Sequence, residues 1–306
     1  QMPDTITLFQ HFMANGYKVH GGGKLFHNVF NDLKSWEVYW NRPGDPMPPN
    51  RPLNGIPNAA HFDWGPVDVD DPAMGDTKLT DWAVGFLQQK HERPFLLAVG
   101  YIRPHLPWYV PRKYFEHFPL NKIVLPQVKE DDLDDVPPVG QRMANPKGDH
   151  AKVLATNNWE KAVQGYLASI EFVDGQVGRV IEALDKSGYA GNTIVVLWGD
   201  HGWHLGEKLH WRKFTLWEEA TRVPLIISAP GVTQPASRCE RTVSLLDLYP
   251  TLCDLCGLKI PEHVEGMSLR KLLENPQAEW NRPVLTTHGY MNHAVRSERW
   301  RYIRYY

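Results

Sequence analysis

Asp200 and His201 lie side by side in the stretch WGDHGWHLGEKLHWRK, residues 198–213, with Lys213 at its end. A carboxylate next to an imidazole can hold a divalent cation. A lysine is a permanently cationic donor and suits a tetrahedral oxyanion such as sulfate or phosphate. Two further stretches carry the same kinds of group. GKLFH contains Lys24 and His27, and IRPHLPW contains Arg103 and His105. Lysines that meet at one place repel unless an anion lies between them. A cation would stabilise charge in the transition state, and histidines can move protons near neutral pH. The chemistry implied is hydrolysis of a sulfate or phosphate ester. Singly, each piece is weak: Asp-His is a common dipeptide, His204 and His210 read as surface or supporting groups, and Glu207 reads as a cap or local ion pair.

What joins the pieces is their place after strands. In open parallel sheets, ligands sit beyond the carboxyl ends of the strands. Lys24 and His27 follow the predicted strand YKVHG, Arg103 and His105 follow PFLLAVGYI, and Asp200 and His201 follow NTIVVLWG. Helices alternate with these strands. The first is capped by Asp4 or Thr5, carries Leu8, Phe9, Phe12 and Met13 on one face, and ends at Gly16. TKLTDWAVGFLQQKHE is a second. The longest pattern runs from NWEKAV to DKSGY, with Val163, Leu167, Ile170, Val173, Val177, Ile181 and Leu184 on one face and Gly188 at the C-terminal cap. VPLIISAPG is another strand, followed by a helix over 244–256. Strands apolar on both faces predict an α/β fold with a mostly parallel central sheet and helices on both faces. The expected division is a catalytic domain over 1–280 and the beginning of a small antiparallel subdomain over 281–306. Residues 28–75 are rich in Pro, Gly, Asn and Trp with little periodicity, which predicts a lid or binding loop. Residues 119–150 form a second irregular region.

The chain has 306 residues, enough for one large α/β domain with an appendage. The net charge of -2 argues against a nucleic-acid binder. No apolar run approaches the roughly 18 residues that would cross a bilayer. Of the three cysteines, Cys253 and Cys256 lie in the apolar pattern LLDLYPTLCDLCGL and are expected as core residues, not a metal or redox pair. Trp36, Tyr39, Trp40, Trp64 and Trp108 lie on or near the irregular regions. Their faces can stack on sugar rings, though half or more are expected to serve packing.

In their order along the chain, GYKVHGGGKLFH, PFLLAVGYIRPHLPW, DGQVGRVIEALDKSGY, WGDHGWHLGEKLHWRKFTLWEEATRVPLI and VSLLDLYPTLCDLCGL resemble the type I sulfatases of the alkaline phosphatase superfamily, with the iduronate-2-sulfatase branch the nearest likeness. The resemblance implies that Lys24 and His27 flank the nucleophile and that His105 contacts the sulfate. It implies that Asp200 and His201 belong to a calcium site and that Lys213 holds the sulfate. Trp203 joins His105 and Lys213 as a substrate-binding candidate. The implied activity is cleavage of sulfate from a sulfated sugar or polysaccharide such as a glycosaminoglycan. A phosphodiesterase or phosphonate hydrolase, or a non-catalytic sulfoglycan-binding relative, are the alternatives. The resemblance also implies a secreted, periplasmic or lysosomal-type compartment.

One departure bears on all of this. The family's nucleophile is a formylglycine made from a Cys or Ser in a C/S-x-P-S-R motif, which these 306 residues lack; Cys239, in SRCERT, does not fit. An early strand with paired aspartates is also missing. The expectation is an internal portion of a sulfatase, inactive by itself, with formylglycine and most metal carboxylates upstream, on a segment that could be a separate chain. Calcium favours roughly six to eight oxygen ligands. His201 is an unusual calcium ligand and could instead touch the sulfate, and zinc would accept Asp and His more readily. The resemblance favours calcium.

Overall fold

The computed structural model describes residues 5–27 and 32–306. In chain order the elements are α1 (Leu8–Ala14), β1 (Lys18–Gly23), β2 (Val38–Trp40), β3 (Trp64–Val67), α2 (Gly75–Leu87), β4 (Phe95–Gly100), β5 (Trp108–Pro111), α3 (Arg112–Glu116), α4 (Pro138–Ala144), α5 (Asp149–Ala155), α6 (Trp159–Lys186), β6 (Val195–Trp198), β7 (His204–Leu205), β8 (Trp211–Arg212), α7 (Glu218–Thr221), β9 (Leu225–Ser228), α8 (Leu248–Leu255), α9 (Arg270–Glu274), β10 (Val284–Thr287), β11 (His293–Arg296) and β12 (Arg301–Arg304). The fold is α/β. Two compact units emerge: Gln1–Leu125 with Lys152–Ala190, and Pro126–Ala151 with Gly191–Tyr306.

In the first unit, β1 lies between β2 and β4, and both pairings are parallel. The β1–β4 register runs from Lys18 opposite Phe95 to Gly23 opposite Gly100. The two strands therefore end together, as the placement of Lys24 and His105 required. Glycine is needed at this end. Gly23 has φ +81°, and a Cβ on it would meet the Gly100 carbonyl oxygen at 2.1 Å. The first helix begins later than predicted. Its cap is Thr7, which forms a capping box with Gln10; Thr5 is not the cap, and Asp4 lies outside the described residues.

The buried side of α6 follows the predicted stripe only in part. Val163 and Leu184 are buried as expected, Ala162, Gly165, Ala168, Ser169, Phe172 and Gln176 are buried beside them, and Ile170 is exposed. Small residues are selected there by close approach: a Cβ at Gly165 would lie 2.9 Å from the Trp64 Cβ on β3. Ala168 and Phe172 complete a core with Val67, Met74, Tyr109, Val110 and Phe115. Part of the region 28–75 is built into this unit. β3 pairs in parallel with β5, and Ile56, Phe62 and Trp64 are buried. The fully buried Asp63 carboxylate accepts the backbone N–H groups of Leu53, Asn54 and Trp64 at 2.8, 2.8 and 2.9 Å. Trp36, Trp64 and Trp108 are thereby buried. Trp40 stacks on Trp82 with ring centroids 6.0 Å apart.

In the second unit β6 pairs with β9, and this pair is antiparallel. The tail folds as the predicted antiparallel sheet, in the order β10–β11–β12. Cys253 on α8 is buried and Cys256 half-buried, and neither is in a disulfide. Burial pushes the Cys253 thiol up to about 11, as suits a core residue. None of the described helices is long and apolar enough to cross a membrane.

Candidate active site

The candidate residues fall into two groups, one in each compact unit. In the first, the parallel register sends Lys24–His27 and Tyr101–His105 out of the same end of the sheet. The Lys24 backbone N–H donates to the Gly100 carbonyl at 2.6 Å, which ties the two exits together. Lys24 is half-buried and His27 exposed. His105 is half-buried on a turn closed by its own N–H, which donates to the Ile102 carbonyl at 2.8 Å. Its Nδ1 lies 2.6 Å from the Leu106 carbonyl oxygen. A carbonyl only accepts, so Nδ1 carries a proton and donates. Nε2 is therefore the nitrogen left to take up or release a proton at His105.

Arg103, read from sequence as a rim cation, is withdrawn from the rim. It is 5% exposed and donates through Nη2 to Asp45 at 2.7 Å and to the Tyr109 carbonyl at 3.1 Å. Burial pulls its guanidinium below the usual range, and Asp45 and Asp76 oppose that pull. Asp45, Arg42 and Asp76 belong to the same ion network, and none of the three was singled out in the sequence. Nothing in their spacing marks them, because they meet only through the fold. The one signal was Asp76, an acidic residue entering a helix otherwise buried at that turn.

In the second unit, Asp200 and His201 follow β6, and the loop returns through β7 and β8 to Lys213. Lys213 Nζ lies 2.8 Å from His201 Nε2. The His201 Nδ1 is 2.9 Å from the Gly202 carbonyl, so Nδ1 donates there and Nε2 accepts from the ammonium. The Asp200 carboxylate accepts the His201 backbone N–H at 3.0 Å and lies 3.5 Å from His201 Nε2. Asp200, His201 and Lys213 are thus one cluster. Trp203 is half-buried, its ring 6.3 Å from that of His201 at an interplanar angle of 34°.

A folded hairpin holds Lys213 in place. Lys208, Leu209 and Arg212 all have left-handed φ, at 55°, 52° and 76°, a backbone that non-glycine residues adopt at a cost. Arg212 pairs with Asp149 at 2.6 Å, and the Trp211 indole donates to His150 Nδ1 at 3.1 Å. His204 and His210 are not surface groups. They are 0% and 8% exposed, with ring centroids 5.0 Å apart. Burial, aided by His210, pushes the His204 imidazole down to about 3, and burial likewise lowers His210. Glu207 caps locally, accepting the Leu205 N–H at 2.7 Å, and its burial raises the carboxyl.

Asp200 and His201 offer one carboxylate and one nitrogen. That falls well short of the roughly six to eight oxygens of a calcium site. No group of three or more His, Cys, Asp or Glu side chains that could hold a metal occurs among the described residues. The described donors therefore do not by themselves fit calcium. A cleft of about 610 Å³ in the first unit is lined by Pro46, Pro49, Asn50, Trp64 and Lys161 among others. Of the candidate residues it holds only Trp64, one of the possible sugar-stacking aromatics, and none of the candidate catalytic or metal-binding side chains.

The sulfatase family model matches residues 2–258. A sulfatase of Formosa agariphila is 37% identical over 317 residues, covering 99% of this chain and 62% of that protein. The iduronate 2-sulfatase of Mus musculus is 31% identical, covering 88% of this chain and 59% of that enzyme. The chain thus spans about three-fifths of the length of these relatives. The solved structure of a phosphonate monoester hydrolase from Silicibacter pomeroyi shares the fold, with a TM-score of 0.75 at 20% identity over 99% of this chain and 72% of that one. With the family model matching over most of the chain and the iduronate 2-sulfatase relative alongside it, the chain belongs to the sulfatases, the type I sulfatases of the alkaline phosphatase superfamily.

Proposed function

We propose that this chain carries much of the catalytic domain of a sulfuric ester hydrolase that removes sulfate from a sulfated sugar. The observation that carries the reading is the cluster of Asp200, His201 and Lys213, with Lys213 Nζ 2.8 Å from His201 Nε2, in a chain of the sulfatase family. In this reading Lys213 holds a sulfate oxygen by a charge-assisted hydrogen bond. Lys24 and His27 lie beside the nucleophile. His105 protonates the departing sugar oxygen from Nε2, since its Nδ1 is committed to the Leu106 carbonyl. Trp203 borders the substrate. The proposed nucleophile is a formylglycine contributed from outside these 306 residues. A divalent cation, for which Asp200 and His201 would be two ligands, would supply charge stabilisation when bound. The sugar reading is supported by the likeness to iduronate 2-sulfatase.

The test is sulfate release by the full-length protein from a panel of sulfated sugars, set against phosphate mono- and diesters and phosphonate esters. Sulfate release that Lys213→Ala lowers by about 10²-fold or more is expected. Faster phosphoryl than sulfuryl release, or turnover untouched by Lys213→Ala, would overturn the reading.

A further inference from the structure

Asp76 lies in the first turn of α2, far in sequence from the 101–107 turn, and its side chain is 0% exposed. Its two carboxylate oxygens accept two consecutive backbone N–H groups of that turn, Ile102 at 3.1 Å and Arg103 at 3.0 Å. Arg103 then reaches around the turn. Its guanidinium donates to the His105 carbonyl at 3.4 Å, to the Tyr109 carbonyl at 3.1 Å and to Asp45 at 2.7 Å. Asp45 also accepts the Gly75 N–H at 2.9 Å, at the start of the same helix. Arg42 joins the two aspartates. Two cations and two anions are buried together, with side-chain exposures between 0% and 8%.

Burying four charges is a poor route to stability, because desolvation offsets most of the Coulombic gain. The arrangement does, however, restrict geometry. A carboxylate has acceptors on both sides, so it can grip two adjacent peptide N–H groups at once, and the planar guanidinium holds the carbonyls of His105 itself and of Tyr109. We infer that Asp76, with Arg103, is the positioning residue for the His105 imidazole, clamping the turn so that Nε2 presents its proton in one direction. This rests on the reading of His105 as proton donor. Neither residue needs to touch substrate.

The experiment uses the full-length enzyme with Asp76→Asn, Arg103→Lys and His105→Ala. An asparagine keeps one acceptor but turns an NH₂ toward a peptide N–H. On a sugar sulfate, kcat should fall by about 10–10²-fold for Asp76→Asn, the loss typical of a displaced catalytic group. KM should change little, and the loss on a nitrophenyl sulfate should be much smaller, because that leaving group departs with little protonation. Added to His105→Ala, Asp76→Asn should cost nothing further. Arg103→Lys keeps the charge, loses the fork, and should show the same substrate dependence; it carries the comparison if Asp76→Asn does not fold. Equal losses on both substrates, or full additivity with His105→Ala, would overturn the inference. The NMR shifts of the His105 ring distinguish the two readings. If the wild-type enzyme releases no sulfate, the catalytic reading fails, yet the His105 resonances must still shift in Asp76→Asn. Unchanged resonances would overturn the positioning role by itself.

Discussion

Lys213 Nζ donates to His201 Nε2 at 2.8 Å, and the opposite ring nitrogen of His201 donates to the Gly202 carbonyl at 2.9 Å. The imidazole is thus held as the Nδ1–H tautomer, with its Nε2 lone pair turned toward a cation. That is the form a metal ligand needs. Long-range ¹H–¹⁵N correlation spectra of the protein should show His201 as the Nδ1–H tautomer near neutral pH. An Nε2–H tautomer would refute this arrangement.

Calcium binding by the 306-residue polypeptide should be weak. Asp200 contributes one carboxylate, and no cluster of three ligating side chains occurs among the described residues. Titration calorimetry should show no site tighter than about the 10⁻⁴–10⁻³ M typical of weak modules. Micromolar binding abolished by Asp200→Ala would show that the chain holds a complete site.

His105 and Lys213 should separate by substrate in the full-length enzyme. A sugar alkoxide is a poor leaving group and depends on a delivered proton, whereas a nitrophenolate does not. His105→Ala should lower sugar-sulfate turnover by about 10²–10⁴-fold and nitrophenyl-sulfate turnover far less. Lys213→Ala should lower both similarly, because both substrates carry the sulfate. The reverse pattern would make Lys213 the proton donor.

Acid should loosen the hairpin that carries Lys213. His204 has a folded-state value near 3 against an ordinary 6.5, depressed chiefly by burial, and that of His210 is depressed in the same direction. Because the unfolded chain binds the proton more readily, the stability these rings contribute is complete above about pH 6.5 and is lost as pH falls toward 3. The slope approaches about 1.4 kcal/mol per pH unit for His204 alone. Thermal melts from pH 7.5 to 4.5 should show a falling midpoint, and His204→Gln should flatten the fall. A mutant with the wild-type slope would contradict the assignment.

Gly165 should not tolerate a side chain. A Cβ there would meet the Trp64 Cβ at 2.9 Å in a well-packed wall. Gly165→Val should destabilise by about 1–3 kcal/mol through overpacking, read as a lower urea midpoint. An unchanged midpoint would show that α6 and β3 can separate without cost.

The sequence alone determined the local chemistry and the elements that carry it. Apolar runs such as FLLAVG and VVLW announced strands, the long pattern over 159–186 announced a helix, and the polar residues after the strands named Lys24, His105, Asp200, His201 and Lys213 as candidates. These signals are short-range and survive without knowledge of what packs where. Only the tertiary structure decided which polar groups meet. Arg103 reads from the sequence as a cation delivered to the rim because it follows a strand, yet Asp45 and Asp76 arrive from distant segments to bury it. His204 and His210 looked superficial because their stretch is polar, yet folding the hairpin encloses both. The stripe on α6 misled in part because periodicity ranks side chains by apolarity. Close approach of β3 requires glycine at position 165, while the same buried side also takes in Phe172 and Gln176, which an apolar stripe did not pick out. Long-range contacts are properties of the closed chain, and a periodic pattern carries no record of them.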